Sequence, residues 1–128
     1  MSDLANRCYQ RYLKFTGLAA FIEAEVPAEE GWGVVLRFYA VLHLMNAFLV
    51  DKANIRLDLS ATAHEARKAA MARYPELRDA PKKYRDMKDL SENVRYDPYF
   101  EIADSHRDES RRLLEKIVSI VDPKIKKT

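Results

Sequence analysis

The sequence predicts an all-α fold, an antiparallel four-helix bundle with one short additional helix. Three observations lead there. Ala (16) and Leu (13) far outnumber Val (8), Ile (6) and Thr (3), and β-branched residues are what sheets are built from. Gly (3) and Pro (5) supply roughly half the turn-formers of an average chain. Apolar residues recur at helical spacing in long segments, and prolines mark most of the breaks. A chain of 128 residues, 48% hydrophobic and 33% charged, is one domain with a real core and a solvated surface, and its body is not intrinsically disordered.

Helix 1 is expected from Ser2 or Asp3 to Glu25, where Leu4, Cys8, Leu13, Phe15, Leu18, Ala19 and Ile22 recur at helical spacing. Val26-Pro27 ends it, because a residue before proline is pushed out of the α region. Helix 2 starts near Ala28, with Glu29 and Glu30 against its positive N-terminus, and runs to about Ala53. Residues 54–61 (NIRLDLSA) read as a loop, and Thr62 as the cap of a third helix, HEARKAAMARY, that stops before Pro75. A short helical turn over Pro75–Asp79 precedes a fourth helix, opened by Pro81 and reaching Tyr96. Asp97-Pro98 reads as cap and first-turn proline of the last helix, Tyr99 to about Val121. The domain is expected over residues 1–122, followed by a basic, frayed tail over 123–128.

Helix 2 is apolar on two faces. Trp32, Leu36, Tyr39, His43, Ala47 and Val50 line one, and Val34, Phe38, Val41, Leu42, Met45 and Leu49 the opposite one. A helix apolar all round is buried all round, so either it is central in its own bundle or its second face packs on another subunit. A homodimer through helix 2 is therefore expected, two-fold dimers being the commonest oligomers. Residues 31–50 are also long enough to span a bilayer. Arg37 within them costs about 2.5–3.5 kcal/mol near a membrane centre, and His43 and Asn46 add polar groups, so a buried helix and no membrane is the reading.

The 22 basic and 20 acidic residues leave a net charge of +2, so any nucleic-acid contact comes from a local patch rather than from overall charge. Met1–Asn6 reads as a polar helix start with no apolar signal core behind it, and cytoplasm is the expected compartment. Cys8 is alone, which excludes an internal disulfide and a cysteine-built zinc site.

Three helices carry residues with chemistry. Tyr39 and His43 are four apart on helix 2; His64 and Arg67 are three apart on helix 3; Tyr84, Lys88, Ser91 and Arg95 form a stripe on helix 4. Converging, they assemble imidazoles, cations and hydroxyls with no carboxylate, a set that suits an anion and most naturally a phosphate. The same residues fit a second reading, in which they satisfy one another at helix interfaces; for His43 alone, and more so for His106 on the apolar stripe of the last helix, that structural reading comes first.

Several chemistries are excluded. His64-Glu65 begins like HExxH, but position 68 is Lys. No histidine follows a Glu by three residues, so the Glu-x-x-His pairs of di-iron bundles are missing. Three glycines build no P-loop, GxGxxG or GxSxG. No metal and no cofactor is expected.

The ordered set WGVVLRFYAVLH, AHEAR and KYRDMKDLSENVRY, spanning Trp32 to Tyr96, resembles the HEPN domain family. The cues are an aromatic-Tyr-Ala-x-x-His segment, a His-x-x-Arg after the loop, and a Tyr–Ser–Arg-Tyr series. The resemblance implies a four- or five-helix bundle, commonly dimeric. It implies either a metal-independent ribonuclease of toxin–antitoxin, CRISPR-linked or other defence systems, or a non-catalytic nucleotide or RNA binder. The family's nuclease signature, Arg, four to six residues, then His, is matched by Arg37 and His43 with five residues between them. Positions six apart on a straight helix point about 120° from each other, so the two serve one site only through a kink or across a dimer seam.

In the catalytic reading the ribose 2′-OH attacks the adjacent phosphate, His43 or His64 moves the protons, and Arg37, Arg67 or Arg95 stabilises the phosphate charge. Tyr39, Arg67, Tyr84, Ser91 and Arg95 are then the phosphate- or RNA-binding set. The alternative is a non-catalytic helical module that binds a nucleotide or a partner protein, such as an antitoxin or the product of a neighbouring gene.

Overall fold

The structure, a computed structural model, describes residues 1–53 and 64–125. It is all-α: five α-helices and three short 3-10 turns, with no strand among the described residues. Helix α1 spans Asp3–Glu25, and Ser2 caps it by accepting a hydrogen bond from the Ala5 amide at 3.1 Å. After the 3-10 turn Pro27–Glu29 comes α2, Glu30–Ala53. The expected loop over 54–61 and the Thr62 cap lie outside the described residues. Helix α3 spans His64–Met71 and is shorter than expected, because Tyr74, held extended by Pro75, is reached through a turn rather than through continued helix. Pro75–Leu77 is a 3-10 turn, and α4 runs Ala80–Tyr96.

The last helix, α5, begins later than the sequence suggests, at Asp104, and ends at Val121. Asp97 does not start a helix: its carboxylate accepts from the Tyr99 amide at 2.9 Å while its carbonyl accepts from the Phe100 amide, a tight turn. Tyr99, expected to open the last helix, lies before it and is 91% exposed. His106 sits in the first turn of α5, where its Nδ1 accepts from the Ala103 amide at 2.9 Å and so satisfies one of the helix's start donors. The end of the chain is not wholly a loose tail. Asp122–Lys124 forms a 3-10 turn, Asp122 accepts from the Tyr9 hydroxyl at 2.7 Å, and Ile125 is buried in the core.

Helix α2 is the centre. Its side chains from Val34 to Val50 are mostly buried, with α1 packed along one side and α4 and α5 along others. Gly31–Lys52 is long and apolar enough, by length and composition, to cross a membrane, and most of it is buried inside the fold as a core helix is. Both apolar faces are thus covered within the chain along the C-terminal half of α2, where Ala47, Phe48, Leu49 and Val50 are buried. The N-terminal half keeps an open strip: Trp32 exposed, and Leu36, Tyr39 and His43 half-buried.

Candidate nucleic-acid interface

The open strip of α2 is flanked by α1 on one side and by α3 and α4 on the other. From α1, Phe15 lies flat against the His43 imidazole, 5.3 Å between centroids and 10° between planes. Burial pushes His43 down to about 4, and the charges of Arg11 and Arg67 add to that shift. The imidazole is therefore neutral at pH 7, a weak base with one ring N–H and one acceptor nitrogen.

Opposite, a hydrogen-bonded chain joins three helices. The Arg67 guanidinium, 1% exposed, donates from Nε to Asn46 Oδ1 at 2.8 Å and from Nη1 to the Tyr84 hydroxyl at 3.2 Å. That hydroxyl lies 2.9 Å from His64 Nδ1. Its oxygen accepts from Arg67, and which partner donates to the other across the His64 contact follows the imidazole tautomer. Burial lowers the His64 pKa, and the charges of Arg67, Lys88 and Arg95 lower it further against the opposing pull of Glu92. Phe38 packs within ring contact of His64, Tyr84 and Tyr39 and fixes the spacing of all three.

A second constellation lies toward the end of α4. Arg95 Nη1 donates to the Tyr39 hydroxyl at 2.7 Å and Nε to the Ser91 carbonyl at 3.3 Å. Its guanidinium carbon stands 4.9 Å from the Tyr96 ring centroid and 5.4 Å from that of Tyr39. No carboxylate pairs with Arg95 among the described residues, whereas Lys88 contacts both Asp89 and Glu92. Beside Arg95 lies a groove of about 610 Å³ between the start of α2 and the end of α4, walled by Trp32, Val35, Tyr39, Val94, Tyr96 and Ile102. Gly31 lets the two helices come this close: a Cβ there would stand 3.1 Å from Val94 Cγ1.

Of the residues singled out from the sequence, the structure thus joins His64, Arg67 and Tyr84 in one chain and Tyr39 with Arg95 in another. Ser91 is fully buried, its Oγ has no hydrogen-bond partner among the described residues, and only its carbonyl touches the site, through Arg95. Arg37 lies elsewhere. It is buried among α1, α2 and α5, where Nη1 donates to Glu23 Oε2 at 2.7 Å and to Ser110 Oγ at 3.1 Å, and Nη2 bonds Glu23 Oε1. Arg37 and His43 therefore point to different neighbours, Arg37 to Glu23 and His43 to Phe15, as their spacing on α2 dictates. Sequence reasoning missed Trp32 and Tyr96 as parts of a site, although both stand beside residues it named. Among the described residues, no group of three or more His, Cys, Asp and Glu is placed to hold a metal ion.

No family model matches the chain, and neither a curated protein nor a solved structure matches it.

Proposed function

We propose that this is a HEPN-like protein that binds RNA along the open strip of α2. In this reading it is an antiparallel bundle of α1, α2, α4 and α5 with α3 as the short additional helix, and it acts in the cytoplasm, in a defence or toxin–antitoxin setting, with an antitoxin-type partner. A homodimer through α2 would use the strip's edge, since that is the part of α2 a partner reaches. The observation that carries the reading is Arg95. It is half-buried, held in place by Tyr39, Tyr96 and the Ser91 carbonyl, and has no carboxylate partner among the described residues. A fixed guanidinium of this kind is suited to a phosphate.

Binding is tested with a labelled single-stranded RNA by fluorescence anisotropy between about 50 and 200 mM salt. Wild type binds with a negative salt slope; Arg95→Gln binds more weakly and flattens the slope by about 0.7, one phosphate contact on a single strand. Absence of binding at the lowest salt overturns the reading.

A second reading is metal-independent cleavage in which a neutral imidazole takes the ribose 2′-OH proton and the leaving 5′-oxygen takes one from water; the neutral imidazoles of His43 and His64, along the same strip, favour it. Incubation with a mixed RNA pool in excess chelator tests it: His43→Ala and His64→Ala each remove cleavage if these imidazoles move the protons, and an equal rate in all three proteins sinks the idea. With Arg37 held by Glu23 and Arg67 buried against Asn46 and Tyr84, the phosphate charge in that reading falls to Arg95.

A further inference from the structure

We infer that the groove between the start of α2 and the end of α4 is a base-stacking pocket, which takes one unpaired nucleobase of a single-stranded RNA between Trp32 and Tyr96 while Arg95 holds the adjoining phosphate. The inference rests on the RNA-binding reading and specifies which part of the RNA that site recognises.

Four features of the groove select this occupant. Its volume of about 610 Å³ suits a nucleotide-sized ligand. Its walls present aromatic rings to solvent: Trp32 is 55% exposed and Tyr96 72%. Large rings left open in this way are the platforms on which unpaired bases stack, each base contributing a π-face whatever its identity. The third feature is charge. Arg95 lies 4.9 Å from the Tyr96 centroid, so a ring seated on Tyr96 brings its phosphate within reach of the guanidinium. Glu29 stands at the rim and is the one carboxylate among the lining residues. The fourth is continuity. Arg95 donates to the hydroxyl of Tyr39, a residue of the α2 strip that also walls the groove, so a chain leaving the groove passes onto that strip. A duplex cannot use such a pocket, since its bases are already stacked and paired.

Trp32 is the single tryptophan of the chain, so its fluorescence reports on the groove alone. The full-length protein is titrated with adenosine monophosphate, with a single-stranded RNA, with the same RNA carrying abasic sites, and with its duplex. Anisotropy of the labelled RNA is followed in parallel. The expected result is quenching of Trp32 by the mononucleotide and the single strand but not by the duplex. Abasic RNA and the Tyr96→Ala variant each bind about tenfold more weakly than the intact pair, and Tyr96→Phe, which keeps the ring but not the hydroxyl that accepts from Arg95, recovers most of that loss. Tyr96 is solvent-exposed, so its replacement leaves the core intact. RNA that binds by anisotropy with no change at Trp32 and no effect of Tyr96→Ala overturns the pocket and leaves the RNA-binding reading standing. Quenching by the mononucleotide without RNA binding keeps the pocket and removes the polymer reading. A Trp32 emission shift that depends on protein concentration alone, without ligand, places a second copy of the chain in the groove and overturns the proposal.

Discussion

Glu23 of α1 and Arg37 of α2 form an ion pair whose two side chains are 4% and 6% exposed. Arg111 reaches the same carboxylate at 2.9 Å, and Ser110 takes a bond from Arg37, so three helices meet at one charge cluster. Burial by itself raises the pKa of Glu23, and the hydrogen bonds and charges of Arg37 and Arg111 outweigh it and hold the carboxyl below its ordinary value. A site this closed fixes how α1, α2 and α5 are rotated against one another.

Replacing Arg37 by Ala leaves Glu23 buried with only the half-exposed Arg111 beside it. A buried charge stripped of its partner costs about 3–5 kcal/mol, and Arg111 keeps the loss near the lower end. Urea unfolding measures it directly. A role for Arg37 at the RNA would show itself the other way round, as lost affinity in a protein of unchanged stability.

Gly33 lies under that carboxylate. A Cβ at this position would stand 2.7–2.9 Å from three atoms of the Glu23 side chain. A free glutamate would swing aside, but this one is held by two arginines. Gly33→Ala is therefore expected to destabilise by about 1–3 kcal/mol, the range of overpacked cores. In the Glu23→Ala background the same change becomes harmless, a coupling that a double-mutant cycle reads out.

Acidification acts through His43. Its folded value of about 4 lies below the ordinary 6.5, so the unfolded chain binds a proton more readily between these limits and stability rises with pH across them. The protein is expected to be at full strength above about pH 6.5 and to lose stability as the pH falls toward 4, by about 1–2 kcal/mol once solvent screening of the half-buried ring is allowed for. Glu23, whose shift is also downward, loses its contribution only at lower pH, below the ordinary carboxyl range. His43→Gln should make the pH 4–6.5 part of the curve shallower, the rest of that slope belonging to His64, whose shift is also downward, and leave the more acidic part in place.

Arg78 carries φ 55° and ψ −124° between the Pro75–Leu77 turn and α4, followed by Asp79 at φ −93° and ψ 10°. These are the angles of a type II′ turn, whose first central position favours glycine. Arg78→Gly should stabilise the fold by about 1 kcal/mol, seen as a higher melting temperature; a lower one would mean that the Arg78 side chain contributes more than its backbone costs.

Much of the helix order is legible in the sequence because its punctuation is local. Ser2, Pro27 and Pro81 act within a turn of themselves, and the bounds of α1 follow from them. The start of α5 is not legible in this way. Asp97-Pro98 suits a helix start and a tight turn equally, and the choice rests on where the chain from 97 to 103 packs.

The site divides along the same line. His64 with Arg67, three apart on α3, already share a face, so their meeting with Tyr84 needs only that α3 and α4 approach. Arg37 and Glu23 are fourteen residues apart on two helices, and their pairing depends on helix rotation, which no spacing records. The groove at Trp32 depends besides on Ile102, which lies in the segment the sequence reading assigned to helix.

One consequence reaches beyond the folded state. The central helix α2 would be the stickiest segment of this chain if it were left bare, yet its first cover is α1, its immediate neighbour in the chain. Pairing of sequence-adjacent helices needs no long loop to close and is among the fastest events in folding. The α1–α2 hairpin thus acts as an escort for its own second arm, shielding it from aggregation and from lipid while the slower docking of α4 and α5 is completed.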